Sequence, residues 1–135
     1  MQLLDWIVCD DIRMEIGGKH TLVGVYDNLE FHKAPEKWPI NIKLSFFIRI
    51  KRLDDDMRPD RFVVEFTQDG NQSGKFDEKM GVKGSEYNLI SICMVNNAFP
   101  ILGPGKLNMK ISFYEGERLM KAIESPYGLE IKIKK

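Results

Sequence analysis

Several stretches of the chain hold residue types that do chemistry in other proteins, and their spacing decides what each can do here. Gly17, Gly18 and Lys19 have the composition of a phosphate-binding loop. Such a loop needs a glycine five positions before its last glycine and a hydroxyl after its lysine. Those positions hold Arg13 and His20. Gly103, Gly105 and Lys106 fail in the same way, because Leu107 takes the hydroxyl position. Asp69, Asn71, Ser73 and Gly74 match the first half of a calcium loop, but Met80 stands where a bidentate glutamate should close it. Turn chemistry accounts for Asp, Asn and Gly there without a metal. Asp54, Asp55 and Asp56, with Asp60 nearby, are interleaved with Arg52, Arg58 and Arg61 and read as a solvated loop.

Nucleophilic catalysis has no anchor. No Gly-x-Ser-x-Gly elbow occurs, and His20 and His32 lie in or beside strand-like runs without an acid and a nucleophile framing them. Zinc needs close-spaced Cys and His pairs; Cys9 and Cys93 stand alone in apolar stretches and read as buried thiols. The expectation is a protein that is not an enzyme and that uses no cofactor and no metal. An enzyme whose site is dispersed over loops is the alternative that motifs cannot address.

Composition narrows the class. The 135 residues carry 20 Lys plus Arg against 20 Asp plus Glu, a formal net charge of zero. With 43% hydrophobic and 30% charged residues, this is an ordinary globular mixture. Zero net charge argues against nucleic-acid binding, which usually comes with a basic excess. No apolar run approaches the ~20 residues of a membrane span. Asp5, Asp10 and Asp11 interrupt the first apolar run, and no basic segment precedes it, so a signal peptide is not expected. One potential disulfide does not make a secreted scaffold. A cytoplasmic protein with no membrane contact is the expectation.

The elements that would position any site are strands. Ile40, Ile42, Leu44, Phe46, Ile48 and Ile50 alternate with Asn41, Lys43, Ser45, Arg49 and Lys51. Period two is the mark of a half-buried strand, and the length of this one calls for a bulge or bend. Ile12, Met14 and Ile16 alternate with Asp11, Arg13 and Glu15, which predicts the apolar three facing inward. His20 to Phe31 reads as one further strand, with Gly24 as a bulge. Phe62 to Thr67 and then a hairpin at Asp69 to Gly74 follow. Leu89 to Val95, apolar on both faces, predicts a central, doubly covered strand. Leu107 to Phe113, a turn at Glu115-Gly116, a returning strand through Leu119 to Ile123 and a last strand at Leu129 to Ile133 complete the series. Eight or nine strands in one domain, 1–135, predict an all-β, antiparallel, immunoglobulin-like β-sandwich.

The most distinctive stretch is Cys9 to Asn28. Its Asp10, Asp11, Arg13, Glu15, Lys19, Gly24 and Tyr26 resemble a family of small bacterial proteins catalogued as a domain of unknown function. The likeness extends to the proline-led approach to the strand at Pro39 to Ile50. It implies a bacterial, non-secreted setting and assigns no activity, ligand or partner.

Two surfaces then stand out as binding candidates. Asp11, Arg13 and Glu15 share one strand face, and Lys43, Phe47 and Arg49 share the polar face of the long strand. Aromatics beside arginine are typical interface anchors. The leading expectation is a partner protein, or a second copy of the chain, docking on these residues. Single-stranded nucleic acid stacking on Phe47 over the 40–52 face is the alternative. A bend that turns Phe47 into the core is the competing structural reading.

Overall fold

The computed structural model describes residues 1–52, 58–81 and 88–134. Asp54, Asp55 and Asp56 lie outside these residues. Ten strands and no helix are present among the described residues: β1 Gln2–Glu15, β2 Lys19–Val25, β3 Asn28–Phe31, β4 Ile40–Lys51, β5 Arg61–Gln68, β6 Asn71–Lys79, β7 Leu89–Ile101, β8 Gly105–Glu115, β9 Arg118–Glu124 and β10 Leu129–Ile133. Four strands form one sheet in the order β2-β1-β4-β7; six form the other, in the order β3-β10-β8-β5-β6 with β9 also on β8. Every pairing is antiparallel except β3 with β10. The fold is all-β and sandwich-like.

Alternation explains the packing between the sheets. Trp6 and Val8 of β1, Leu44, Phe46, Ile48 and Ile50 of β4, and Ile90, Ile92 and Met94 of β7 point inward from the four-stranded sheet. They meet Val64 and Phe66 of β5 and Met109, Ile111 and Phe113 of β8. Phe46 is the hub. Its ring stacks on Trp6 at 5.7 Å and lies 4.4 Å from Phe66 and 5.0 Å from Phe99 between ring centres. The buried Gln68 ties the layers through polar groups: its amide donates to the Pro100 carbonyl at 3.0 Å, and its oxygen accepts the Leu102 N–H at 2.8 Å. Such a satisfied bridge fixes one sheet against the other at little desolvation cost.

Turn chemistry places the hairpins. Gln68 pairs with Asn71, leaving Asp69 and Gly70 as the two turn residues, at φ of 48° and 84°. Two successive positive φ values match the twist of the flanking strands, and Asp-Gly is the sequence that tolerates them. The bulges beside the long strand β4 lie on its partners and not on β4 itself: β7 steps three residues, Phe99 to Asn96, against Ile42 to Leu44, and β1 steps two, Leu3 to Asp5, against Ile50 to Arg49. The segment at 118–124 returns along β8 as a strand, as its position after the Glu115-Gly116 turn requires.

Three expectations are corrected. The run from His20 to Phe31 is two strands in different sheets, because the chain crosses from one layer to the other at Tyr26–Asp27. β7 is an edge strand, so the outer sides of Leu89 and Val95 stay exposed instead of being covered. Met14 and Ile16 do not face inward: they are 69% and 98% exposed, because the β1–β2 hairpin runs on past the end of β4 pairing at Cys9/Ser45. No helix of the described residues is long and apolar enough to cross a membrane.

Candidate interaction face

The outer face of the four-stranded sheet gathers four of the six residues singled out by sequence. In register, Ile7 lies opposite Phe47 and Phe47 opposite Cys93, while Asp5 lies opposite Arg49 and Arg49 opposite Ser91. Arg49 Nε is 3.3 Å from an Asp5 carboxylate oxygen, and its guanidinium sits over the Phe47 ring at 5.6 Å. Lys43 Nζ is 3.3 Å from the carboxylate of Asp11. Asp11, Lys43, Phe47 and Arg49 therefore form one continuous band, held by two ion pairs whose partners are part-exposed. Each such pair contributes only about 0–1 kcal/mol and is weakened by salt.

Arg13 and Glu15 lie apart from that band, on the hairpin that projects from the sheet. Arg13 pairs across the ladder with Thr21, and Glu15 with Lys19; Glu15 also accepts a hydrogen bond from the Thr21 hydroxyl at 3.1 Å. No ion pair joins Asp11, Arg13 and Glu15 to one another among the described residues.

Phe47 corrects a sequence expectation. It is 4% exposed, and it is not turned into the main core either. Instead it stays on the outer face and is buried there by a second, smaller apolar cluster with Cys9 and Ile12, against which Ile7, Leu22 and Cys93 pack. The His20 ring lies 5.7 Å from it. Ile12, Leu22 and His20 all come from the β1–β2 hairpin, which curls over the sheet as a flap. A stacking platform for nucleic acid needs an aromatic ring open to solvent, and this ring is covered.

The bend that makes the flap is built from Asp10, Gly24 and Tyr26. Gly24 has φ of 67°, and a Cβ on it would collide with the Asp10 carboxylate. The Tyr26 hydroxyl donates to that same carboxylate, and the Ser45 hydroxyl donates to the Asp10 carbonyl at 3.2 Å. Burial, with the Asp10 hydrogen bond second, pushes the Tyr26 phenol up to about 12. Sequence reasoning named Gly24 as a bulge and Tyr26 as part of the resemblance, but did not connect them to Asp10. The signal was the register: only with β1 and β2 aligned does Gly24 fall opposite Asp10. Asp5 and His20 were missed for the same reason.

Neither thiol on this face is an activated nucleophile. Both thiols are free, and burial pushes Cys9 and Cys93 above the usual thiol range, which leaves them protonated at neutral pH. A groove of 480 Å3 lies on the opposite sheet. There Glu65, Lys110 and Glu124 form a cross-strand row of alternating charge. Thr67 and Ser125 supply its hydroxyls, and the Ser125 oxygen already accepts the Met109 N–H at 3.1 Å. No cluster of three or more His, Cys, Asp or Glu side chains that would hold a metal occurs among the described residues.

The fold and this face define an all-β, two-sheet protein with a hairpin flap over one outer surface. The chain belongs to a family of unknown function, DUF6941, whose model matches residues 4–124. Neither the curated proteins nor the solved structures contain a match.

Proposed function

We propose that this protein is a non-enzymatic interaction module that docks a protein partner on the β1–β2 hairpin and the adjoining outer face of the four-stranded sheet. One observation carries the reading: where the large exposed hydrophobic side chains fall. Of the eight among the described residues, Leu4, Met14, Ile16, Val25, Leu89 and Val95 belong to the four-stranded sheet or its hairpin turn, and only Leu119 and Tyr127 to the remainder. Single exposed hydrophobes are ordinary, but their concentration on one sheet is the mark of a binding surface. Met14 and Ile16 at the hairpin are the anchors. Arg13, Glu15 and the Asp11–Lys43 and Asp5–Arg49 pairs form the charged rim that sets orientation more than affinity.

A photo-crosslinker placed at Ile16 tests this in cells that make the protein. The expected result is one dominant protein adduct whose purified component binds the purified chain. That binding is expected to weaken at least tenfold on Met14→Glu, with the melting temperature unchanged. Adducts no different from those of a crosslinker at Thr67, on the opposite sheet, would refute the reading.

A further inference from the structure

We infer that β7 pairs with β7 of a second copy, antiparallel about a two-fold axis at Ile92, joining the two four-stranded sheets into one. The inference rests on β7 and not on the hairpin, although Leu89 and Val95 count toward both readings. An open strand edge is a template for another strand, and proteins commonly guard it with charge, brevity or a kink. Every other edge here is guarded. β6 carries four charged residues between Lys75 and Lys79, β9 carries three, β3 has four residues in all, and β2 kinks at Gly24. β7 has 13 residues and not one charge, and its bulge between Asn96 and Phe99 and its Pro100 both lie beyond the Leu89–Val95 stretch.

Space and register fit the same partner. Among the described residues only β4 pairs with β7. A 270 Å3 groove runs along Ile90–Cys93, between it and Phe62, Lys79, Met80 and Gly81, with Lys79 its one charged lining residue. An axis through Ile92 places Leu89 opposite Val95 of the second copy, and Val95 opposite its Leu89. These are the two large exposed apolar side chains of the strand, at 51% and 46%. On the inner face the same register sets Ile90 against Met94 and Ile92 against itself, so both faces match apolar to apolar. The axis is perpendicular to the sheet, so outer face continues into outer face and the self-matching is closed, as in most homodimers. A ladder of seven residues spans about 23 Å. It makes an interface near the lower end of the stable range, about 1,000 Å2, so dimerisation should depend on concentration.

Sedimentation velocity over a dilution series of the full chain tests this, with three variants. A concentration-dependent dimer is expected, and Val95→Lys should weaken it at least tenfold while leaving the melting temperature unchanged. Ser91 falls opposite Cys93 of the second copy, and cross-strand spacing suits a disulfide. Ser91→Cys treated with diamide, which takes the two thiol hydrogens, should therefore give a covalent dimer that adding Cys93→Ser abolishes. A chain that stays monomeric throughout, whether or not another protein's strand seats on the edge, overturns the inference. So does a dimer that Val95→Lys leaves intact. A dimer lost on Ile16→Glu and not on Val95→Lys also overturns it, while supporting the hairpin as the docking site.

Discussion

Phe46 and Phe47 are neighbours in sequence and occupy two separate interiors. Phe46 lies between the sheets, ringed by Trp6, Phe66 and Phe99. Phe47 faces the other way and is covered by one hairpin. Two sheets hold the first, each braced by several strands; the cover of the second rests on the bend at Asp10 and Gly24. Burial fraction alone does not separate them, since both are almost fully hidden. What separates them is how many independent elements must move before water reaches the ring. The large core stabilises the fold, whereas the small one stabilises a flap.

The largest effect expected from this difference is on global stability. Phe46→Ala should cost about 3–5 kcal/mol in urea unfolding. Phe47→Ala should cost less, because a cluster under a single flap collapses onto the space more easily. Equal losses would mean that the flap and the sandwich unfold as one unit. Hydrogen exchange sharpens the contrast: Phe47→Ala should raise exchange in β2 while leaving β5 and β8 protected.

A smaller effect is expected at the bend. Gly24→Ala puts a side chain in the left-handed region, at about 1–2 kcal/mol, and drives its methyl into the Asp10 carboxylate. Adding Asp10→Ala should recover the collision part of the loss and none of the backbone part. A loss wholly recovered, or none at all, would show that the bend does not need a glycine.

The smallest effect is on pH dependence. The Tyr26 phenol is raised in the folded state to about 12 from an ordinary value of 10. A raised folded value means the folded chain holds the proton more tightly than the unfolded one. Its stabilisation is therefore complete below pH 10 and is lost as pH rises toward 12. Compared by urea unfolding across that window, the native chain should lose stability faster than Tyr26→Phe. Parallel curves would place the phenol outside the flap's support.

Local pattern made most of the strands legible, since alternation at Ile40 to Ile50 or Leu107 to Phe113 is set by neighbours in sequence. The split at Tyr26–Asp27 was hidden, because no glycine or proline punctuates HTLVGVYDNLEF at the crossing. The apolar character of Leu89 to Val95 was plain, but its place at an edge depends on strand order, which long-range pairing decides. Phe47 shows the same limit at the candidate face. Its polar neighbours Ser45 and Arg49 signal an outer position correctly, while its cover comes from residues 12–22, about thirty positions away.

The one parallel pairing, β3 with β10, has a consequence for how the molecule comes into being. β3 ends at Phe31, and its sole ladder partner among the described residues begins at Leu129. At ribosomal speeds of about 5–20 residues per second, β3 leaves the exit tunnel roughly 5–20 s before the strand that completes it does. During that wait the β1–β2 hairpin, whose contacts are local, can already close. Assembly on the ribosome is therefore lopsided in time, with the hairpin early and the six-stranded layer finished last.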